Sequence, residues 1–159
     1  NLIRKSHLRR TIVKLSPEEF ADMHELKTAI ESFGVVKGCL RATEQEIAVI
    51  LGILNEIERA NREDDIVRRR NLNHSFHEAL IAPCKNKKLI DAFVPLARQL
   101  RWTSSLVMTT LERPLKPSRE HEAIFAAFRE KKISVLRTLM ERHSNAHMNR
   151  VLSLMRSSA

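Results

Sequence analysis

An all-α protein, an antiparallel bundle of six to seven helices, is predicted by three features of this sequence. The first is composition: 159 residues hold only 3 Gly and 5 Pro and no Tyr, a balance that favours helix over sheet. The second is periodicity, since apolar residues recur three and four apart, as in Ile47, Ile50, Leu51, Leu54 and Ile57. The third is a pair of capping boxes, Ser16-Pro17-Glu18-Glu19 and Thr43-Glu44-Gln45-Glu46, each at the start of such a stretch. With 43% hydrophobic residues the chain can fill one core, so residues 15–159 read as one domain behind a short basic segment.

The first helix opens at Pro17 and carries Phe20, Met23, Leu26, Lys27 and Ile30 at helical spacing. Gly34 is expected to interrupt it, leaving a short second segment over residues 35–40. A helix then follows Thr43, and Arg62-Glu63-Asp64-Asp65 connects it to the next, which spans about residues 65–82. Pro83-Cys84-Lys85-Asn86 punctuates the chain before a long pattern over residues 88–111, with a kink expected at Pro95. Pro114 and Pro117 mark the next break. Ser118 is read as the cap of a helix whose inward face is His121, Ile124, Phe125 and Phe128. The last helix carries Ile133, Leu136, Met140, His143, His147, Val151 and Leu154.

Net charge is +9, and residues 1–14 contribute Arg4, Lys5, Arg9, Arg10 and Lys14 with no acid. Such an arm either touches phosphate backbones or is a solvated linker; lacking aromatics and a reading helix, it is a poor reader of base sequence. Cys39 and Cys84 fit no metal-ligand spacing and are too few for a disulfide scaffold, which points to a reducing compartment. No apolar run approaches about 18 residues and no leader pattern opens the chain, so a cytoplasmic protein with no membrane contact is expected.

Chemistry concentrates on histidine. Asn73 and His77 lie four apart on the face that also carries Ile66, Leu80 and Ile81, and His121 and His143 fall on the apolar stripes of two other helices. Two readings stand side by side. The three imidazoles converge on a metal, as bundle cores allow, or each is a buried histidine bonded to a carbonyl or carboxylate. His74 and His7 read as solvent-facing, and His24 fits either class. His77-Glu78 and His121-Glu122 begin like the zinc-protease helix motif, but Ile81 and Phe125 occupy the place of its second histidine. No phosphate loop, serine elbow or redox cysteine pair is present, so a non-enzyme is predicted. A small metal-dependent hydrolase on the histidine cluster and a structural helical adaptor are the alternatives.

The motifs taken together resemble a family. Leu15-Ser16-Pro17-Glu18, Arg41-Ala42-Thr43 with Glu46-Ile47, Asp65 eight residues before Asn73, Phe76-His77, Asn86 with Leu89, Ser118 with Glu120-His121, and Met140 three before His143 occur in that order. The set is similar to the ligand-binding C-terminal domain of GntR-type transcription regulators of the FadR subfamily, from about residue 13 onward. The resemblance implies a helical bundle around a central pocket, a homodimer, a small carboxylate effector, and DNA contact only through a winged helix-turn-helix domain outside this chain. Residues 1–14 would be the end of that domain and its linker. It further implies a divalent metal held at Asn73, His77, His121 and His143, with Asn73 in place of the usual aspartate; the imidazole nitrogens favour zinc or nickel. Lys27 stands where the family usually has arginine. Arg101 matches a frequent arginine of the long helix, is read on its inward face with Val94, Ala97 and Met108, and is the candidate partner of the effector carboxylate; the alternative is a surface salt bridge.

Overall fold

A computed structural model describes residues 3–6, 9–12, 15–108 and 119–157. Its body is a bundle of six α-helices: α1 (Pro17–Arg41), α2 (Glu44–Arg62), α3 (Ile66–Ile81), α4 (Lys87–Met108), α5 (Glu120–Arg129) and α6 (Ile133–Ser157). A single 3-10 turn, Ala82–Cys84, follows α3. The all-α expectation holds for this body. Ahead of it, β1 (Ile3–Ser6) and β2 (Arg9–Ile12) form an antiparallel hairpin in which Ile3 faces Ile12 and Ser6 faces Arg9. The expected end of the long helix at Leu111, the breaks at Pro114 and Pro117, the cap at Ser118 and the side chain of His7 lie outside the described residues.

The helix starts follow from local chemistry. Ser16 Oγ accepts the Glu19 N–H at 3.1 Å while Glu19 Oε2 accepts the Ser16 N–H at 2.8 Å. Thr43 and Glu46 repeat the arrangement at the head of α2, and Asp65 Oδ1 accepts the Arg68 N–H at the head of α3. Each box satisfies donors that a helix N-terminus leaves unpaired. Three breaks between elements turn on a residue in the left-handed region, Asp64, Lys85 and Lys131. Pro95 sits within α4 without ending it, although the Asp91 carbonyl loses its helical donor there.

Gly34 does not interrupt α1. The helix runs through it because the residue serves packing: a Cβ there would lie 2.9 Å from Leu89 Cδ2 and 3.3 Å from Ile81 Cγ2. Gly38 is tighter still, since its Cβ would meet the Leu80 carbonyl oxygen at 2.4 Å. The glycines thus let α1 approach the end of α3 and the turn after it, and that gain exceeds the intrinsic cost of glycine in a helix, about 1 kcal/mol. Gly38→Ala is therefore expected to cost about 1–3 kcal/mol in urea unfolding, because backbone cannot move aside as a side chain can. Gly52→Ala on α2, where a Cβ meets nothing within 4 Å, should be neutral or stabilising.

Two apolar clusters sit at opposite ends of the bundle. The larger contains Val35, Ile50, Phe76, Leu80, Phe93, Ile124, Phe128, Leu136 and Met140; the smaller contains Phe20, Leu100, Val151 and Leu152. Along α1 the chain passes from the small cluster at Phe20, past His24 and Lys27, to the large core at Val35. Along α6 it passes the other way, from Leu136 and Met140 past His143 and His147 to Val151. The polar residues between the clusters line a cavity, and this ordering is what places it.

Candidate metal centre

The cavity has a volume of about 340 Å³, and all six helices contribute to its wall. At one end His77 of α3, His121 of α5 and His143 of α6 bring their ligand nitrogens within 4.8 Å of one another. Ring centroids are 5.2 Å apart for His77 and His143, and 4.9 Å for His121 and His143. Phe76 stands beside them, edge-on to His121 at 5.0 Å, and closes the site on the core side. The three histidines that the sequence places on separate helices are thus brought together.

Two of the rings are held from behind. His77 Nδ1 lies 2.8 Å from Glu31 Oε1, and Glu31 Oε2 accepts from Lys27 Nζ at 2.5 Å. His143 Nδ1 lies 2.8 Å from Glu120 Oε2. The His143 Nδ1 contact is a hydrogen bond and leaves Nε2 of that ring to face a ligand, whereas His77 Nδ1 and Glu31 Oε1 approach closely without hydrogen-bond geometry. His121 Nε2 is buried and has no hydrogen-bond partner, and Asn61 Oδ1 and Ser104 Oγ on the same cavity wall share that condition. Unsatisfied buried polar atoms are uncommon, and a group of them around one cavity makes it a candidate binding place.

Burial disfavours the charged form of His121, His143, His24 and His147. It is the first cause pushing His121 down to about 2, with His143 and His77 adding to it. His143 is lowered by burial as well, although Glu120 pulls the other way. His24 falls to about 4 and His147 to about 3, again chiefly by burial. Burial alone would raise the Glu31 carboxyl, but the Lys27 ammonium and the His77 ring hold it well below the usual carboxylate range. Three convergent imidazoles, two of them with a carboxylate close behind, are a donor set that a late first-row divalent ion prefers. The residues present fit such an ion.

The other expected site residues are placed as follows. Asn73 is half-buried one turn before His77 and lines the cavity. Arg101 also lines it, but is exposed and donates to Asn71 Oδ1 at 2.5 Å, so it stands at the rim and not on an interior face. His74, read from the sequence as solvent-facing, is half-buried in the cavity wall with a pKa pushed by burial to about 3. The reason is geometric: position 74 precedes His77 by three, so it shares the face that Asn73 shares by four.

Sequence reasoning missed Glu31, which lies four residues after Lys27 and seven after His24 on the inward side of α1. A lone carboxylate in register with Phe20, His24 and Val35 was the available signal. It also left undecided the second imidazole pair, His24 and His147, whose ring nitrogens lie 3.4 Å apart beside Thr28 and Ser144.

The FCD domain family is matched over residues 22–146. The Nta operon transcriptional regulator of Aminobacter aminovorans is 24% identical over 137 residues, which is 86% of this chain; the chain spans 63% of that relative's length. Among solved structures, E. coli McbR/YncC superposes with a TM-score of 0.83 at 15% identity, over 100% of this chain and 79% of the other. A GntR family transcriptional regulator from Pseudomonas syringae pv. tomato superposes with a TM-score of 0.76 at 19% identity, over 98% of this chain and 66% of the other. At those identities the structural likeness is one of fold.

Proposed function

Because this chain belongs to the FCD domain family, we propose that it is the effector-sensing and dimerisation part of a DNA-binding transcription regulator. Its effector is a small carboxylate that meets a divalent metal, zinc or nickel, held by His77, His121 and His143 with Asn73 as the weakest ligand. One observation carries the reading: three imidazoles, two of them with an unpartnered buried nitrogen, converge at the end of a cavity large enough for a small organic acid. The bound metal would supply a Lewis-acidic anchor for a carboxylate oxygen. Arg69, Arg101 and Arg150 on the cavity wall would attract the acid, and Ser104 and Asn61 would orient it. Glu31 and Glu120 are engaged on ring nitrogens, which leaves them poorly placed as a general base and favours a sensor over a hydrolase.

The regulator reading assigns residues 1–14, with the β1–β2 hairpin, to the end of a preceding winged domain and its linker. An acid that prefers one dimer arrangement would then reposition the attached DNA-binding domains. The direct test is a thermal-shift comparison of metal-loaded and stripped protein with acetate, succinate and citrate. Stabilisation by a carboxylate in the loaded protein alone supports the reading; equal shifts with and without metal contradict it.

A homodimer is part of the same proposal. Leu26, Phe33 and Leu40 recur every seven residues on α1 and are 55%, 55% and 54% exposed, and Trp102 and Leu106 on α4 are exposed as well. An apolar stripe of that length on a packed helix is characteristic of an interface. Phe33→Glu is expected to convert a dimer at tens of micromolar into a monomer in sedimentation velocity without lowering helicity. A wild-type monomer would remove the dimer from the proposal.

A further inference from the structure

We infer that Glu31 supplies, through His77, the negative charge that an aspartate at position 73 would have brought to the metal. The inference rests on the metal-site reading above. With Asn73 neutral, the four proposed ligands are three imidazoles and an amide, and none carries charge. A divalent ion in that sphere lacks an anion among its protein ligands. Glu31 is the one fully buried carboxylate among the described residues, 1% exposed, and it stands directly behind a proposed ligand. The Glu120 side chain plays the corresponding part for His143 but is 33% exposed, so water screens its charge far more.

The geometry of α1 explains how the charge is held. Lys27 and Glu31 are one turn apart, and the ammonium grips Oε2 so that Oε1 is presented to His77 Nδ1. At 2.8 Å the carboxylate sets a negative charge against the ring, although without hydrogen-bond geometry, and that charge strengthens the ring as a donor. A buried ion pair contributes little net stability, because desolvation of both partners offsets their attraction. A carboxylate 1% exposed in such a pair is thus better explained by what Glu31 does to His77 than by what it does for the fold. Glu31 is a positioning residue: it acts on the ion through His77.

The test is titration of stripped protein with Ni²⁺ alone, read by competition with a chromophoric chelator at 10 °C, where circular dichroism verifies that each variant is folded. Glu31→Gln keeps the shape and removes the charge, and should weaken Ni²⁺ binding about 10- to 100-fold. Adding Asn73→Asp to Glu31→Gln should recover most of that loss, because the charge returns as a direct ligand. A merely structural ion pair would lower the melting temperature of the stripped variant and leave its Ni²⁺ affinity unchanged. Affinity within twofold of wild type in Glu31→Gln, with wild type binding Ni²⁺, overturns the inference while leaving the metal site standing. Absence of binding in wild type overturns the metal reading itself. If Glu31→Gln does not fold, Glu31→Asp, which cannot span from Lys27 to His77, should still weaken binding, and wild-type affinity in that variant overturns the inference.

Discussion

Lowering the pH from 7 to 4 is expected to unfold the metal-free protein. His24, His74, His121 and His147 have folded-state pKa values of about 4, 3, 2 and 3, all below their ordinary 6.5. Above pH 6.5 both folded and unfolded chains hold these rings neutral and nothing is at stake. Below it the unfolded chain takes up protons that the folded chain refuses, so stability falls with pH. His24 by itself, buried between α1 and α6, accounts for about 3 kcal/mol of loss by pH 4. Set against a total stability of about 5–15 kcal/mol, several such groups are enough to unfold a domain. The Glu31 carboxyl is lowered, so its stabilisation is present above the ordinary carboxylate range and is lost only as pH falls further. The window between about pH 4.5 and 6.5 therefore reports the histidines. Urea melts at constant ionic strength should show stability flat from pH 8 to about 6.5 and falling steeply below; a flat profile to pH 4.5 would mean that the cavity rings are hydrated and titrate normally.

Removing the metal is expected to have an effect of similar size at neutral pH. An ion that links α3, α5 and α6 binds the folded chain and not the unfolded one, so at a free concentration about a thousand times its Kd it adds about 4 kcal/mol. For a chain of this length that is roughly 8–16 °C in melting temperature. Excess chelator should abolish the increment and added Zn²⁺ or Ni²⁺ should restore it. In His121→Ala the chelator-sensitive part should vanish. The stripped variant should lose less than a usual large-to-small change, since the substitution also deletes a buried nitrogen with no partner. Asn73→Asp should bind metal more tightly than wild type. Chelator melts of wild type and His121→Ala that coincide with untreated protein would reduce the histidines to core residues.

The fold was legible where local signals were strong and shared by several levels. Capping boxes at Ser16 and Thr43 located two helix starts to the residue, and periodicity placed Ile50, Leu54 and Ile57 inside. Gly34 misled because a glycine that weakens a helix in isolation is the same glycine that admits a neighbour, and only packing against Leu89 and Ile81 distinguishes the two. The basic segment carried no alternating apolar pattern, so its hairpin pairing was invisible in composition. In the site, His77, His121 and His143 were readable because each interrupts an apolar stripe. His74 was lost because the wall of a cavity is wider than a stripe, and Arg101 was placed too deep for the converse reason. Glu31 was overlooked because a charged residue on a helix is normally solvated, and its burial depends on Lys27 and His77 arriving from one turn away and from another helix.

The central claim is that three convergent histidines form a metal-centred effector site, and isothermal titration of stripped wild-type protein with Zn²⁺ at pH 7.5 tests it most directly. One Zn²⁺ per chain, with binding lost in His121→Ala, is the result the account predicts. No saturable binding, or binding that survives in His121→Ala unchanged, would contradict it.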